Sequence, residues 1–295
     1  QREPETLALV SGSHEMQGKR PSMEDAHATI DDLTVHFGDL FSADVHGADG
    51  PRSFYGIYDG HRGQRAALHA AEHLHRVILR RPEFASNNIT DALFQGFVQA
   101  DQELLAQARA EGGWNDGCTV AVAVVLGRRV YVANVGDAEV LLARQMIKDD
   151  GQRTTDVVVL SKVHKPTDPE ERARVMANGG MVLGGRVGGA LAVARALGDL
   201  QFKEPATDGE VTVGKLISEE PYVSATDLLP GRDSFILIGC DGIWESMSHR
   251  DSIDFVETHL RQEGPQRTSE MLCEHAIARG SADNVSATIL ALNWS

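Results

Sequence analysis

The chain has 295 residues, is 42% hydrophobic and 24% charged, and carries 28 Lys+Arg against 43 Asp+Glu, a formal net charge of −15. That balance argues against nucleic-acid binding and against docking on anionic membranes, both of which draw on Lys and Arg. No stretch reaches the roughly 18 apolar residues of a membrane helix, and three cysteines (Cys118, Cys240, Cys273) without CxxC spacing make neither a disulfide framework nor a thiolate zinc site.

The first strong β signal is Phe54–Tyr58, closed by Asp59-Gly60. A helical spacing of apolar residues follows over Arg65–Leu79 and again over Thr90–Ala110. Cys118–Leu126, Arg129–Asn134 and Glu139–Arg144 are strands separated by the short turns Gly127-Arg128 and Gly136-Asp137, which predicts an antiparallel meander. Val157–Leu160 is a further strand. Pro169–Ala177 is a helix opened by the cap pair Asp168-Pro169. Phe235–Cys240 and Val285–Leu292 are strands, with helices Ser252–Leu260 and Thr268–Arg279 between them. The segments Asp31–Arg52 and Leu200–Tyr222 read as long loops, and strand signals resume after each, so neither is a domain boundary. Strand clusters interrupted by helix pairs fit layered α+β packing.

Acidic residues gather where apolar β runs end. Asp59 follows FYGIY, Asp137 follows VYVANVG, Asp241 follows FILIGC, Asp283-Asn284 precedes VSATIL, and Glu24-Asp25 completes the set. A single Asp-Gly after a strand is ordinarily a turn, but five such placements point to a shared purpose. Carboxylates brought to one sheet end repel unless protonated or bound to metal. Oxygen-only ligation suits Mg²⁺ or Mn²⁺. Two such ions can turn a shared water into a hydroxide that attacks phosphorus in line. His61 suits proton donation to a leaving oxygen, and Arg20 suits a phosphate fork.

These residues stand in GKRPSMEDAH (18–27), FYGIYDGHRG (54–63), GCTVAVAVV (117–125), VYVANVGDAEVLLAR (130–144), HKPTDPEERARVMANGGMV (164–182), LAVARALGD (191–199), FILIGCDGIWE (235–245) and SADNVSATIL (281–290). In that order they resemble the metal-dependent protein phosphatases, the PPM or PP2C-type serine/threonine phosphatases, from about residue 18 to 290. The resemblance implies one catalytic domain over 1–295. Its fold would be a four-layer α/β-β/α sandwich of two antiparallel sheets flanked by helix pairs.

It implies two Mg²⁺ or Mn²⁺ ions, with Asp59 bridging them, the Gly60 carbonyl on one, Asp241 and Asp283 on the other, and Glu24 and Asp25 acting through water. It gives Arg20 to the phosphate and the general-acid role to His61, with direct attack by a metal-bridging hydroxide. Asp137, with Asp241 and Glu245, matches a weaker third metal. Phosphorylated proteins would be the partners of an intracellular monomer, cytoplasmic or nuclear, with an N-terminal targeting segment left open.

Three positions depart from the family pattern: Glu245 replaces an Asp, Val163 replaces an Asp before HKP, and the segment after Asp199 is long. Glu245 motivates the alternative of a scaffold that hydrolyses poorly, and a small-molecule phosphoesterase is a third reading. The HxxEH string 69–73 has zinc-peptidase spacing but no third ligand in view. Gly184–Gly189 lacks the register of a phosphate loop and reads as a flexible turn. Sequons at Asn88, Asn284 and Asn293 are moot inside a cell, and Cys118 and Cys240 read as core residues.

Overall fold

The computed structural model describes residues 6–42, 49–147, 151–204, 206–208 and 211–295. Fifteen strands and eight α-helices are found among them. The strands are β1 (Leu7–Met16), β2 (Ala26–Ile30), β3 (Arg52–His61), β4 (Gly117–Leu126), β5 (Arg129–Val135), β6 (Glu139–Ile147), β7 (Arg153–Val159), β8 (Val182–Leu183), β9 (Arg186–Val187), β10 (Leu197–Gly198), β11 (Ala206–Asp208), β12 (Val211–Val213), β13 (Tyr222–Asp227), β14 (Asp233–Gly239) and β15 (Val285–Trp294). The helices are α1 (Thr34–Phe37), α2 (Arg65–Leu79), α3 (Pro82–Ala85), α4 (Ile89–Ala110), α5 (Pro169–Ala177), α6 (Leu200–Lys203), α7 (Asp241–Trp244) and α8 (His249–Ala278).

One sheet runs β1-β15-β14-β6-β7 and the other β13-β5-β4-β3-β2, with β10 on β4; all of their strand pairs are antiparallel. The buried runs of the sequence owe their continuous hydrophobicity to burial on both faces. Along β4, Cys118, Val120, Val122, Val124 and Leu126 pack with α2 and α4 residues, while Ala121, Ala123 and Val125 face the interior between the sheets. Period two sends alternate side chains to opposite faces. In β14, Ile236 and Ile238 face the inter-sheet core, and Phe235 and Leu237 face α8. Three stacked cores thus separate four layers, which is the sandwich the family resemblance implies. The element α8 is two helices that meet at Gly264 (φ 73°, ψ 167°), followed by Pro265, so both C-terminal helices expected from the sequence are present.

The expected meander is overturned. β5 pairs with β4, but β6 pairs with β14 and β7 in the other sheet. The chain crosses the sandwich at Gly136, where φ is 90° and a Cβ would stand 2.5 Å from the Thr119 side chain, so only glycine makes this turn. A two-residue turn signal cannot distinguish a hairpin from a step between layers. The strands β1, β2 and β13 carry weaker apolar alternation and were not legible. Segment 31–52 contains α1 and a 3₁₀ turn (Gly38–Leu40), and its residues 43–48 lie outside the described residues. Segment 200–222 contains α6 and the β11–β12 hairpin, with 205, 209 and 210 outside them. Of the glycine-rich stretch 184–189, Gly184-Gly185 is the tip of the β8–β9 hairpin, Arg186–Val187 is β9, and Gly188-Gly189 follow it.

Candidate metal centre and active site

The layer crossing and the strand ends deliver their acids to one end of the sandwich. Asp59 sits near the end of β3, paired in register with Thr119. Asp137 follows the Gly136 turn. Asp241 opens α7 directly after β14, and Asp283 lies just before β15. Each of Asp59, Asp137 and Asp241 offers a carboxylate oxygen within 4.8 Å of the others. They line a cleft of about 370 Å³ with Arg20, Gly60, His61, Lys165, Glu245 and Asp283 among its walls, and Arg186 and residues 190–193 roofing one side.

The turn bearing Asp137 is held from behind. Asn134 Nδ2 donates to the Lys162 carbonyl (2.7 Å), and Lys162 N donates back to Asn134 Oδ1 (3.0 Å). Gly136 N donates to His164 Nδ1 (3.2 Å), and His164 N donates to the Gly136 carbonyl (2.8 Å). Burial pushes the His164 ring down to about 4, so it is neutral and free to accept. These bonds set the next residue, Lys165, in an ion pair with Asp137.

The electrostatics are those of crowded acids. Burial pushes Asp241 up to about 8, and repulsion from Asp137, Asp283 and Glu245 adds to it. Asp59 lies well above the carboxylate range for the same reasons, burial first and then Asp241, Asp25 and Asp137. Asp25 is buried behind the cleft, donated to by Ser286 Oγ (2.6 Å), and burial pushes it up to about 6. Hard oxygen donors gathered in a partly dry cleft, two of the trio in no ion pair among the described residues, fit a divalent cation.

The other expected residues are placed as follows. Glu24 is half-buried, tied by its backbone N–H to Asn284 Oδ1 (2.9 Å), and does not line the cleft. Arg20 forks toward Asp283 (2.5 Å) at the rim, its side chain 54% exposed; burial alone would lower its pKa, and Asp283 more than restores it. Asp283 therefore lines the cleft as the partner of Arg20, outside the tight trio. Glu245 is exposed at the same rim. His61 Nε2 is bonded to Asp199 Oδ2 at 2.8 Å, a residue that sequence reasoning missed although it closes the string LAVARALGD. An acid at a strand end beside glycine was the signal available, since Gly198-Asp199 follows the apolar pair Ala196-Leu197. Burial lowers the His61 pKa, but the Asp199 carboxylate outweighs it and the net shift is upward. His69 and His73 stack at 4.3 Å between centroids on α2, and they belong to no metal-holding group among the described residues. Cys118 and Cys240 are fully buried.

The family model described as Protein phosphatase 2C matches residues 9–285. The chain belongs to the protein phosphatase 2C family. That family comprises metal-dependent serine/threonine protein phosphatases. The chain is similar to "Probable protein phosphatase 2C 22" of Arabidopsis thaliana, with 37% identity over 97% of this chain and 69% of that protein. It is similar to "Protein phosphatase 2C homolog 2" of Schizosaccharomyces pombe, with 34% identity over 94% of this chain and 68% of the relative. It spans 28% of the Dictyostelium discoideum protein spalten, at 31% identity. A serine-threonine phosphatase 2C from Toxoplasma gondii shares the fold, with a TM-score of 0.76 at 20% identity over 97% of this chain and 95% of that one. No helix among the described residues is long and apolar enough to cross a membrane.

Proposed function

We propose that this phosphatase 2C domain hydrolyses phosphoserine and phosphothreonine in protein substrates with two Mg²⁺ or Mn²⁺ ions. The observation that carries this reading is the trio Asp59, Asp137 and Asp241, whose oxygens lie within 4.8 Å of one another and of which only Asp137 has an ion pair among the described residues, with Lys165. Asp59, the Gly60 carbonyl, Asp241 and Asp283 would hold the two ions, with Glu24 and Asp25 acting through water. Asp137, Asp241 and Glu245 would hold a third, weaker one. When bound, these ions supply Lewis-acid charge and lower the pKa of water, so that hydroxide is the nucleophile near neutral pH.

The chain's own groups do the rest. Arg20, on the exposed rim, binds phosphate oxygens with its planar fork and orients phosphorus for in-line attack. To do so it leaves Asp283, which frees that carboxylate. A new P–O bond forms from the hydroxide oxygen as the bond to the Ser or Thr oxygen breaks, and its electron pair leaves with that oxygen. His61, poised in the cleft, delivers a proton there.

The experiment is hydrolysis of a phosphothreonine peptide across a Mn²⁺ titration, beside p-nitrophenyl phosphate and free phosphorylated metabolites. Metal-stimulated turnover of the peptide is expected. No stimulation at any Mn²⁺ concentration would point to the scaffold reading, and preferred cleavage of the metabolites would point to a small-molecule phosphoesterase.

A further inference from the structure

We infer that Asp199 is the positioning residue of His61, an assignment that rests on the proton-donor reading of His61 given above. An ionised carboxylate can only accept. The 2.8 Å bond between His61 Nε2 and Asp199 Oδ2 therefore holds one ring proton on Nε2 and leaves Nδ1 as the nitrogen from which the proton for the leaving oxygen must come. Asp199 is fully buried, while the His61 side chain keeps 21% of its surface in the cleft. One end of the ring is anchored in the protein and the other is presented to substrate.

The backbone around Asp199 is fixed in an unfavourable state. Its φ and ψ are 56° and 49°, the left-handed region, which a non-glycine residue adopts only at a cost. Asp199 N donates to the Asp116 carbonyl (3.0 Å), and the Asp199 carbonyl accepts from Phe202 N (2.8 Å). Immediately before it, Gly198 N donates to Asp101 Oδ1 (2.8 Å). Lys203 Nζ joins that same oxygen (2.5 Å) to the Ala196 carbonyl (2.8 Å). A buried ion pair thus clamps residues 196–203 around a strained acid, and strain held in this way marks functional positions.

The facing strand is shaped for the bond. A Cβ on Gly117 would lie 2.3 Å from Asp199 Oδ2 and 2.4 Å from His61 Nε2, so any side chain there would separate the pair.

The bonding of Asp199 is also unlike that of a structural acid. Asp233, equally hidden, satisfies both oxygens: Oδ1 accepts from Arg144 Nε (2.6 Å), and Oδ2 accepts from Arg144 Nη2 (2.8 Å) and Leu229 N (2.7 Å). Asp199 commits Oδ2 to His61, and its buried Oδ1 takes no hydrogen bond from any described residue. A merely structural carboxylate gains by satisfying both oxygens. This one aims its charge at a single imidazole.

The test uses D199A, D199N, H61Q and the double variant H61Q/D199A, each assayed on a phosphothreonine peptide, whose leaving alkoxide needs a proton, and on p-nitrophenyl phosphate, whose leaving group does not. D199A is expected to lower kcat on the peptide about 10²-fold and on p-nitrophenyl phosphate at most about threefold, with KM unchanged for both. D199N, whose amide oxygen still accepts from Nε2, is expected to fall between wild type and D199A, and as the isostere it keeps the test open should D199A fail to fold. H61Q/D199A is expected to match H61Q, because a residue acting only through His61 adds nothing once the ring is gone. Mn²⁺ affinity by calorimetry should be unchanged in all four. Equal slowing of both substrates by D199A, or a further full loss in the double variant, would overturn the assignment. If H61Q itself slows both substrates equally, the proton-donor reading falls and takes Asp199 with it. If H61Q is selective and D199A is not, Asp199 alone falls.

Discussion

Glu171 is a buried acid and Asp241 a partly buried one, and the molecule treats them in opposite ways. Glu171 in α5 is 1% exposed and flanked by two arginines, Arg174 (3.1 Å) and Arg195 (2.5 Å). Burial alone would raise its pKa, yet the arginines outweigh burial and hold it below the ordinary value. Asp241 stands beside Asp59, Asp137 and Asp283, and is pushed up to about 8. Where an acid serves the fold, the chain supplies bases at bonding distance. Where acids are needed as ligands, the chain assembles them and leaves their charge largely uncompensated. Stability is given up at the cleft and kept at α5, the division expected when perturbed groups mark a functional site.

The sharpest way to break the comparison is to neutralise one acid in the cleft. D241N and D59N are each expected to lose all but about 1% of metal-dependent p-nitrophenyl phosphate hydrolysis, since the charge that stabilises the transition state is no longer held. D241N should also unfold at a higher temperature than wild type when both are metal-free, because a repelling charge has gone. Near wild-type turnover in either variant would remove the ligand assignment.

The same neutralisation at α5 should act on stability instead. E171Q leaves Arg174 and Arg195 half-buried without their anion, a loss of about 3 kcal/mol. Its Tm, measured by calorimetry, should fall, while kcat per folded molecule changes little. A Tm equal to wild type would show that the arginines do not need Glu171.

The pH dependence follows from the direction of the shift. The pKa of Asp241 is raised from about 3.9 in the unfolded chain to about 8 in the fold. Its protonated form therefore favours folding below pH 4, and that contribution is lost as pH rises through 8. The Tm advantage of metal-free D241N over wild type should thus grow from pH 5 to pH 8. An advantage independent of pH would contradict the raised value. Added Mn²⁺ should stabilise wild type more at pH 8 than at pH 6, where protons compete for the same oxygens.

Much of this site was legible because its residues obey two local rules, an apolar β run and then an acid beside glycine. Those rules placed Asp59, Asp137, Asp241 and Asp283 at strand ends, and the ordered strings tied them to a family. Which acids meet is a tertiary fact. The trio forms because Gly136 carries the chain between sheets, and spacing read that turn as a hairpin. Asp283 turned toward Arg20 for a reason no local pattern holds, since the two are 263 positions apart. Asp199 escaped because its function depends on a left-handed backbone and on the absent Cβ of Gly117 across the strand. The strands β1, β2 and β13 were missed because partly solvated faces interrupt their alternation, whereas β4, hidden on both faces, announced itself.

The smallest expected effect concerns Lys165, which sits where the two regions differ least. It is the base that pairs directly with the trio, through Asp137, and Asp241 and Glu245 also raise its pKa against the opposing effect of burial. If the comparison holds, this ammonium moderates the cleft's attraction for cations. K165M keeps the length of the side chain and removes its charge, leaving Asp137 as bare as Asp59. Mn²⁺ affinity, measured by calorimetry, should then rise about tenfold, or roughly 1.4 kcal/mol, the size of one charge pair near contact in a well-solvated site. Metal-free K165M should melt below wild type, because the trio has lost its one ion pair among the described residues. An unchanged affinity together with an unchanged Tm would mean that Lys165 is held by the backbone clamp of Asn134 and His164 alone, and that the cleft's charge was never balanced by it.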